Sequence, residues 1–166
     1  MRNLAVLCAA LIFLPSVRAQ SKPVCSLLTA ADVSAIGATG EGIPGEMAMG
    51  PSKGATMHMC SWRMKSGGLH LSANPMPPGA SRAAVEGQLT QTYAKLTSKG
   101  WKQEKKDFGS VSCTMLTPPA SEKSSPYNTS CLTVVKGMMV NADALSLTGV
   151  PMEKVKALVD SASGRL

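Results

Sequence analysis

The sequence predicts an α+β domain: one antiparallel sheet with helices packed on one face, in a single disulfide-stapled unit. Three observations carry that reading. Met57–Met64 with Leu69–Ala73, and Thr129–Lys136 with Met138–Leu145, are paired runs around short glycine turns, the pattern of β-hairpins. The stretches after Ser81 and after Pro151 place apolar residues at helical spacing. Four cysteines, at 25, 60, 113 and 131, follow an N-terminal apolar run of export-signal type, and an even number in an exported chain favours disulfides over free thiols or zinc.

Residues Met1–Ala19 read as a signal peptide. Arg2 supplies the positive start, Leu4–Leu14 the apolar run, and Val17-Arg18-Ala19 the modest side chains before a cut ahead of Gln20. That run is shorter than the ~20 apolar residues of a spanning helix, and no later segment reaches this length. Neither Cys8, inside the run, nor Cys25, after Lys-Pro-Val, has the setting of a lipid-acceptor cysteine. Residues 20–166 are therefore expected as one domain in the periplasm or outside the cell. Cleavage removes Cys8, and the remaining four cysteines allow three connectivities. Pairing of chain neighbours, Cys25–Cys60 and Cys113–Cys131, is the expectation, each bridge contributing roughly 2–4 kcal/mol.

Thr29-Ala-Ala-Asp32 has the spacing of a capping box, with Asp32 in place of the usual Glu, and Leu28 and Val33 are set to staple it. Gly37 is the natural stop, so a helix is expected over Ala30–Ile36 with Val33 and Ile36 facing the core. Glycines at 37, 40, 42, 45, 50 and 54, with prolines at 44 and 51, predict a long mobile loop carrying at most a short edge strand near Glu46–Met49. The first hairpin reverses at Lys65–Gly68 and ends at Pro75–Gly79. Ser81 caps a helix over Arg82–Lys99, with Val85, Leu89, Tyr93 and Leu96 on one face, and Gly100 ends it. Trp101–Asp107 and Ser110–Thr117 read as strands around Phe108-Gly109, and Pro118–Asn128 as a polar connection. The second hairpin turns at Lys136-Gly137. Pro151 opens the last helix, where Met152, Val155, Leu158, Val159 and Ala162 make an apolar stripe. This order, α-β-β-α-β-β-β-β-α, argues for helices on one face of an antiparallel sheet.

The two main hairpins are alike. Cys60 leads through Arg63-Met-Lys to a glycine turn and ends at Ser72-Ala73. Cys131 leads through Val134-Val-Lys to a glycine turn and ends at Asn141-Ala142. An internal duplication and generic hairpin chemistry both account for this.

Cys25-Ser-Leu-Leu-Thr-Ala-Ala-Asp-Val33, followed by Cys60-Ser-Trp62, a helix and the late Cys131 hairpin, resembles a family of small secreted or lipid-anchored bacterial cell-envelope domains. Those domains open with Cys-x-Leu-Leu-Thr and continue with Cys-x-Trp. The resemblance implies a compact α+β fold in the cell envelope, in a family without an established activity. It adds no catalytic residue, and this chain lacks the lipid-acceptor cysteine that many members carry.

Soft-metal binding is the strongest chemical candidate. Thioether and imidazole suit Cu(I) or Ag(I). Met57 and Met59 alternate onto one strand face, Met47 and Met49 repeat that spacing, and Trp62 offers a ring face to a cation. The candidate set is Met47, Met49, Met57, His58 and Met59. In residue types, though not in fold or spacing, it resembles the Met/His/Trp sites of small periplasmic copper chaperones. Against it, a regular strand points His58 away from Met57 and Met59, and methionine also fills cores when aromatics are only 4% of the chain.

Other features have plainer readings. His70, between Leu69 and Leu71, points opposite those leucines as an exposed or packed polar residue. Trp62 belongs in the core beside Cys60, and Trp101 starts a strand half exposed. Asn128-Thr-Ser130 has glycosylation spacing, which matters only in a eukaryotic secretory pathway. Glu104 and Asp107 interrupt the basic run Lys99–Lys106, which reads as a solvated face, and no nucleic-acid partner is expected. The chain holds no G-x-S-x-G, no H-E-x-x-H and no phosphate-cradling glycine loop. The sequence therefore predicts an exported, non-enzymatic binding module without a cofactor. Its partner is an envelope or extracellular protein, a glycan or a small ligand. Inhibition of an external hydrolase through an exposed Pro118–Asn128 loop is one version, and Cu(I)/Ag(I) binding is the alternative.

Overall fold

A computed structural model of the chain describes residues 23–48, 56–77 and 79–166. The signal-peptide segment and Met49 lie outside the described residues. A 3-10 turn, Val24–Leu27, leads into α1 (Ala30–Ser34), β1 (Ala38–Ala48), β2 (Thr56–Met64) and β3 (Gly67–Pro75). Then come α2 (Arg82–Thr97), β4 (Lys102–Phe108), β5 (Val111–Thr117), β6 (Tyr127–Val135), β7 (Met138–Ser146) and α3 (Met152–Arg165). The strands form one antiparallel sheet in the order β1-β2-β3-β7-β6-β5-β4.

Local signals set many of the element ends. Thr29 and Asp32 close a full capping box: the Asp32 N–H donates to Thr29 Oγ1 at 3.2 Å, and the Thr29 N–H donates to Asp32 Oδ2 at 2.7 Å. Ser81 Oγ accepts from the Ala84 N–H at 3.2 Å and starts α2. Lys136 and Gly137 both take positive φ, 51° and 73°, the geometry of a two-residue hairpin turn.

The glycine-rich stretch departs from expectation. Most of it is not a loop but the eleven-residue edge strand β1, paired with β2 from Ala38↔Met64 to Ala48↔Thr56, with a register shift between Thr39 and Ile43. Two features of the site explain this. Pro44 lacks an N–H, which an edge strand tolerates because one side has no partner. Gly42 is required by packing: a Cβ there would sit 2.4 Å from Cys60 Sγ and 2.8 Å from the Trp62 ring. Glycine here marks a close approach rather than freedom.

Both disulfides join chain neighbours, Cys25–Cys60 and Cys113–Cys131, with Cα separations of 5.1 and 4.1 Å. The second bridges residues directly opposite each other on β5 and β6. Strand alternation gives the sheet an inner face carrying Cys60, Trp62, Leu69, Leu71, Cys113, Cys131, Val140, Ala142 and Ala144. These pack with Val155, Leu158, Val159 and Ala162 of α3, all of them buried. Asp32 ties α1 to the end of α3, accepting from Arg165 Nη1 at 2.8 Å and from Ser161 Oγ at 3.1 Å.

Helices do not all share one face, which corrects the sequence expectation. Tyr93, Glu86, Leu89 and Thr90 of α2 adjoin Gln103, Lys105, Ser112, Thr114 and Ser130. Ser112, Thr114 and Ser130 alternate with Cys113 and Cys131, and Gln103 and Lys105 alternate with Lys106, the register partner of Cys113. So α2 lies on the outer face, above β4, β5 and β6. Its apolar stripe is thin, with Tyr93 its one buried member, and the sheet beneath it is polar, so local periodicity carries no preference for the inner face.

The hairpin likeness has a counterpart in the sheet. Cys60 pairs with Leu71 as Cys131 pairs with Ala142, and at that same offset Lys65 falls on Lys136 and Ala73 on Ala144. Ala73 therefore matches Ala144, whereas the likeness in sequence sets Ser72-Ala73 against Asn141-Ala142. Across the β3–β7 seam, the Met76 N–H donates to Gly137 O at 2.9 Å and the Leu147 N–H to Ser66 O at 3.2 Å, two bonds related by the same offset. The strand triplets β1-β2-β3 and β5-β6-β7 are thus arranged about an approximate two-fold axis between β3 and β7, which the helices that follow them do not share.

Candidate functional site

Among the described residues, a large concavity lies on the inner face where β1, β2, β3 and β7 meet the 3-10 turn. Its volume is about 790 Å³, within the ~300–1,000 Å³ span of ligand sites. Pro23, Val24, Pro44, Ala73, Pro75 and Met138 supply apolar wall, and Glu46 and His58 the polar part. Prolines suit this place because Pro44 is on the edge strand and Pro75 is the last residue of β3. Glu46 and His58 are cross-strand partners, with Glu46 Oε1 3.2 Å from His58 Nδ1. His58 is held by its own backbone: its N–H donates to Asn74 Oδ1 at 2.7 Å, and its carbonyl accepts from Asn74 Nδ2 at 3.2 Å. The Asn74 side chain, buried, thus extends β2–β3 pairing past its last register pair, Met59↔Ser72.

The structure divides the expected metal set. Met47 and Met57 face each other across β1 and β2, and Met59 shares their outer face. Met59 leans over the small Gly45, where a Cβ would lie 3.4 Å from its Cγ and 3.8 Å from its Sδ. Three thioethers therefore stand on one patch of adjacent strands, with Met47 half exposed. His58 and Trp62 point to the inner face, so neither joins them, and Trp62 is buried beside Cys60 as expected for core. Among the described residues, no group of three or more His, Cys, Asp and Glu side chains gathers.

A polar row crosses the outer face and has no trace in local sequence. Ser61, His70, Asp143 and Ser130 are consecutive register partners on β2, β3, β7 and β6. Ser61 Oγ lies 2.9 Å from His70 Nδ1, Asn141 Nδ2 donates to Asp143, and Ser130 Oγ donates to Asn141 Oδ1 at 3.1 Å. Burial pushes the Asp143 carboxyl above its usual pKa, against the opposing pull of the Ser130 and Asn141 hydrogen bonds and of His70. Burial likewise raises the Tyr93 phenol, with the Asp143 charge adding to it and the Ser130 bond opposing. His70 is the packed polar residue its alternation implied, and its carboxylate neighbour comes from a strand remote in sequence.

The connection after β5 contains two turns, closed by Glu122 N–H to Pro119 O at 2.8 Å and Ser125 N–H to Glu122 O at 3.0 Å, with residues 120–124 exposed. Asn128 Oδ1 is buried without a hydrogen-bond partner, a setting unlike that of a glycan acceptor. Among the described residues, no helix is long and apolar enough to cross a membrane. No protein-family model, no curated protein and no solved structure matches the chain.

Proposed function

We propose that the protein is an exported, non-enzymatic binding module that takes its ligand in the inner-face groove. The observation that carries this is the groove itself: ligand-sized, apolar-walled, and furnished with one oriented His58–Glu46 pair. Two disulfides in a small domain support export, because such bridges persist in oxidising compartments. The likeness of Cys25-Ser-Leu-Leu-Thr29 and Cys60-Ser-Trp62 to cell-envelope domains agrees with that placement and belongs to this proposal. Non-enzymatic action is supported by the Ser61–His70–Asp143 row. Ser61 sits mid-strand with paired neighbours on both sides, so the N–H groups around it belong to ladders rather than to an oxyanion site.

The test is fluorescence of 1-anilinonaphthalene-8-sulfonate with the mature protein. Saturable enhancement that Pro44→Trp abolishes supports the groove as a binding site. Enhancement unchanged by Pro44→Trp, or none at all, refutes it.

A second reading is favoured by Met47, Met57 and Met59 sharing one face: a Cu(I) or Ag(I) site built from three thioethers. A Cu(I) titration against a competing chelator tests it. Stoichiometric binding lost in the Met57→Leu, Met59→Leu double variant supports it, and binding unaffected by that change removes it.

A further inference from the structure

The two-fold arrangement of the sheet identifies what the groove is shaped to hold. In the second half of the sheet the matching space is filled by the chain itself. Thr129, the counterpart of His58, donates from Oγ1 to Val150 O at 2.6 Å. Met115, opposite Thr129 as Glu46 is opposite His58, adjoins the segment Thr148–Glu153. Cys113 and Cys131 approach Met152 O with their sulfurs, at 4.0 and 3.6 Å. Pro44 and Cys60 occupy the matching places in the first half by their register. Val150 is buried in its slot at 5% exposure.

The two halves part after their matching seam bonds. Beyond Leu147 the chain turns over the inner face through Thr148-Gly-Val-Pro151 and enters α3. Beyond Met76 it turns to the outer face and enters α2. Among the described residues, the first half therefore has no counterpart of Thr148–Met152, and only the start of the 3-10 turn adjoins the slot.

Resting on the proposal that this groove is the ligand site, we infer that its ligand is an extended peptide segment with an aliphatic residue followed by proline, presented by a partner protein. The peptide lies along β1–β3 as Thr148–Met152 lies along β5–β7. The aliphatic side chain takes the place of Val150 against apolar wall, and proline fits because a segment crossing strand ends has no ladder bond to make there. His58, with Nδ1 engaged by Glu46, offers Nε2 to a peptide group at the position where Thr129 meets Val150. Pro23 and Val24, at the start of the 3-10 turn, also line the slot.

The probe is a fluorescein-labelled peptide Leu-Thr-Gly-Val-Pro-Met, the sequence of residues 147–152, read by fluorescence polarisation beside the naphthalene dye. The expected result is saturable binding, weakened at least about tenfold, or ~1.4 kcal/mol, by Pro44→Trp and by His58→Ala. A scrambled peptide should bind at least about tenfold more weakly than the probe. Dye binding that depends on Pro44, with no peptide binding or with equal binding of the scrambled peptide, overturns the peptide inference and leaves the groove as a small-ligand site. Loss of both signals in the unsubstituted protein overturns the groove itself. Circular dichroism and a count of free thiols on each variant separate a blocked slot from an unfolded chain.

Discussion

Replacing Asp32 tests the contact that joins the two ends of the domain. Its carboxylate accepts from the Thr29 N–H and Thr29 Oγ1, both at 2.7 Å, from Arg165 Nη1 at 2.8 Å and from Ser161 Oγ at 3.1 Å. Asp32→Ala removes the capping box, a loss of about 1 kcal/mol. It also removes a partly exposed ion pair, with side-chain exposures of 36% for Arg165 and 18% for Asp32, a further ~1 kcal/mol after screening. The Ser161 bond adds about 0.5–1 kcal/mol. The expected total is about 2–3 kcal/mol at pH 7, a fall of roughly 5–12 °C in Tm for a domain of this size. Asp32→Asn keeps an acceptor for the cap but no charge, so about half of that loss is expected. The dependence on pH distinguishes this account from a generic packing defect. Burial pushes the Asp32 pKa up, but the bonds from Thr29, Ser161 and Arg165 outweigh it and hold the value below the ordinary one. A carboxyl with a lowered folded pKa stabilises the native state fully above its unfolded pKa and loses that contribution as pH falls through the folded pKa. The gap between wild type and Asp32→Asn should therefore shrink on acidification below about pH 4. Urea melts of the three proteins at neutral pH and at several acidic values decide the matter. An Asp32→Ala loss under about 0.5 kcal/mol, or a gap that stays constant with pH, refutes the reasoning.

Two other substitutions follow from the packing. Gly42→Ala forces a Cβ to 2.4 Å from Cys60 Sγ, so a loss of about 1–3 kcal/mol or more is expected, whereas Gly87→Ala, in open space on α2, should gain about 0.5–1 kcal/mol; thermal melts showing the same sign for both would contradict this. For Asp143, burial raises the folded pKa, so the native state holds its proton more tightly than the unfolded chain, and stability falls as pH rises from the unfolded value through the folded one. Asp143→Asn should flatten that fall and be more stable than wild type above the folded pKa, and equal slopes of stability against pH in the two proteins would show that the carboxyl does not titrate as described.

His58 and Met57 show how much of the candidate sites was legible in sequence. Alternation along one strand was enough to separate their side chains onto opposite faces, which is what the structure has. It was not enough to show that His58 meets Glu46, that Met47 stands opposite Met57, or that a groove opens on the His58 side. Each of these depends on β1 being a strand, and the density of glycine in that stretch concealed it. Gly42 is small because a disulfide and an indole ring press on it, a cause that lies outside its own segment. His70 and Asp143 are a sharper case, since register alone makes them neighbours.

What the sequence by itself determined is the local grammar: the Thr29–Asp32 cap, the Ser81 cap, the Lys136-Gly137 turn, the two hairpins and the α3 stripe. These depend on φ preferences, side-chain-to-backbone bonds and short periodicities, all acting over a few residues. The pairing of chain-neighbour cysteines was one of three connectivities open to the sequence, and the structure selects it. Tertiary structure alone decided the strand order, the passage of α2 to the outer face, the meeting of β3 with β7, and hence the two-fold arrangement of strands in which one slot is filled by Val150 and Pro151 and its twin, among the described residues, is open. Nothing within Met76–Ser81 or Leu147–Met152 encodes which face of the sheet its helix will cover. That choice is made by the packing of the whole sheet, where α3, with its apolar residues gathered on one side, takes the inner face and α2, whose apolar residues are not so gathered, settles on the polar one.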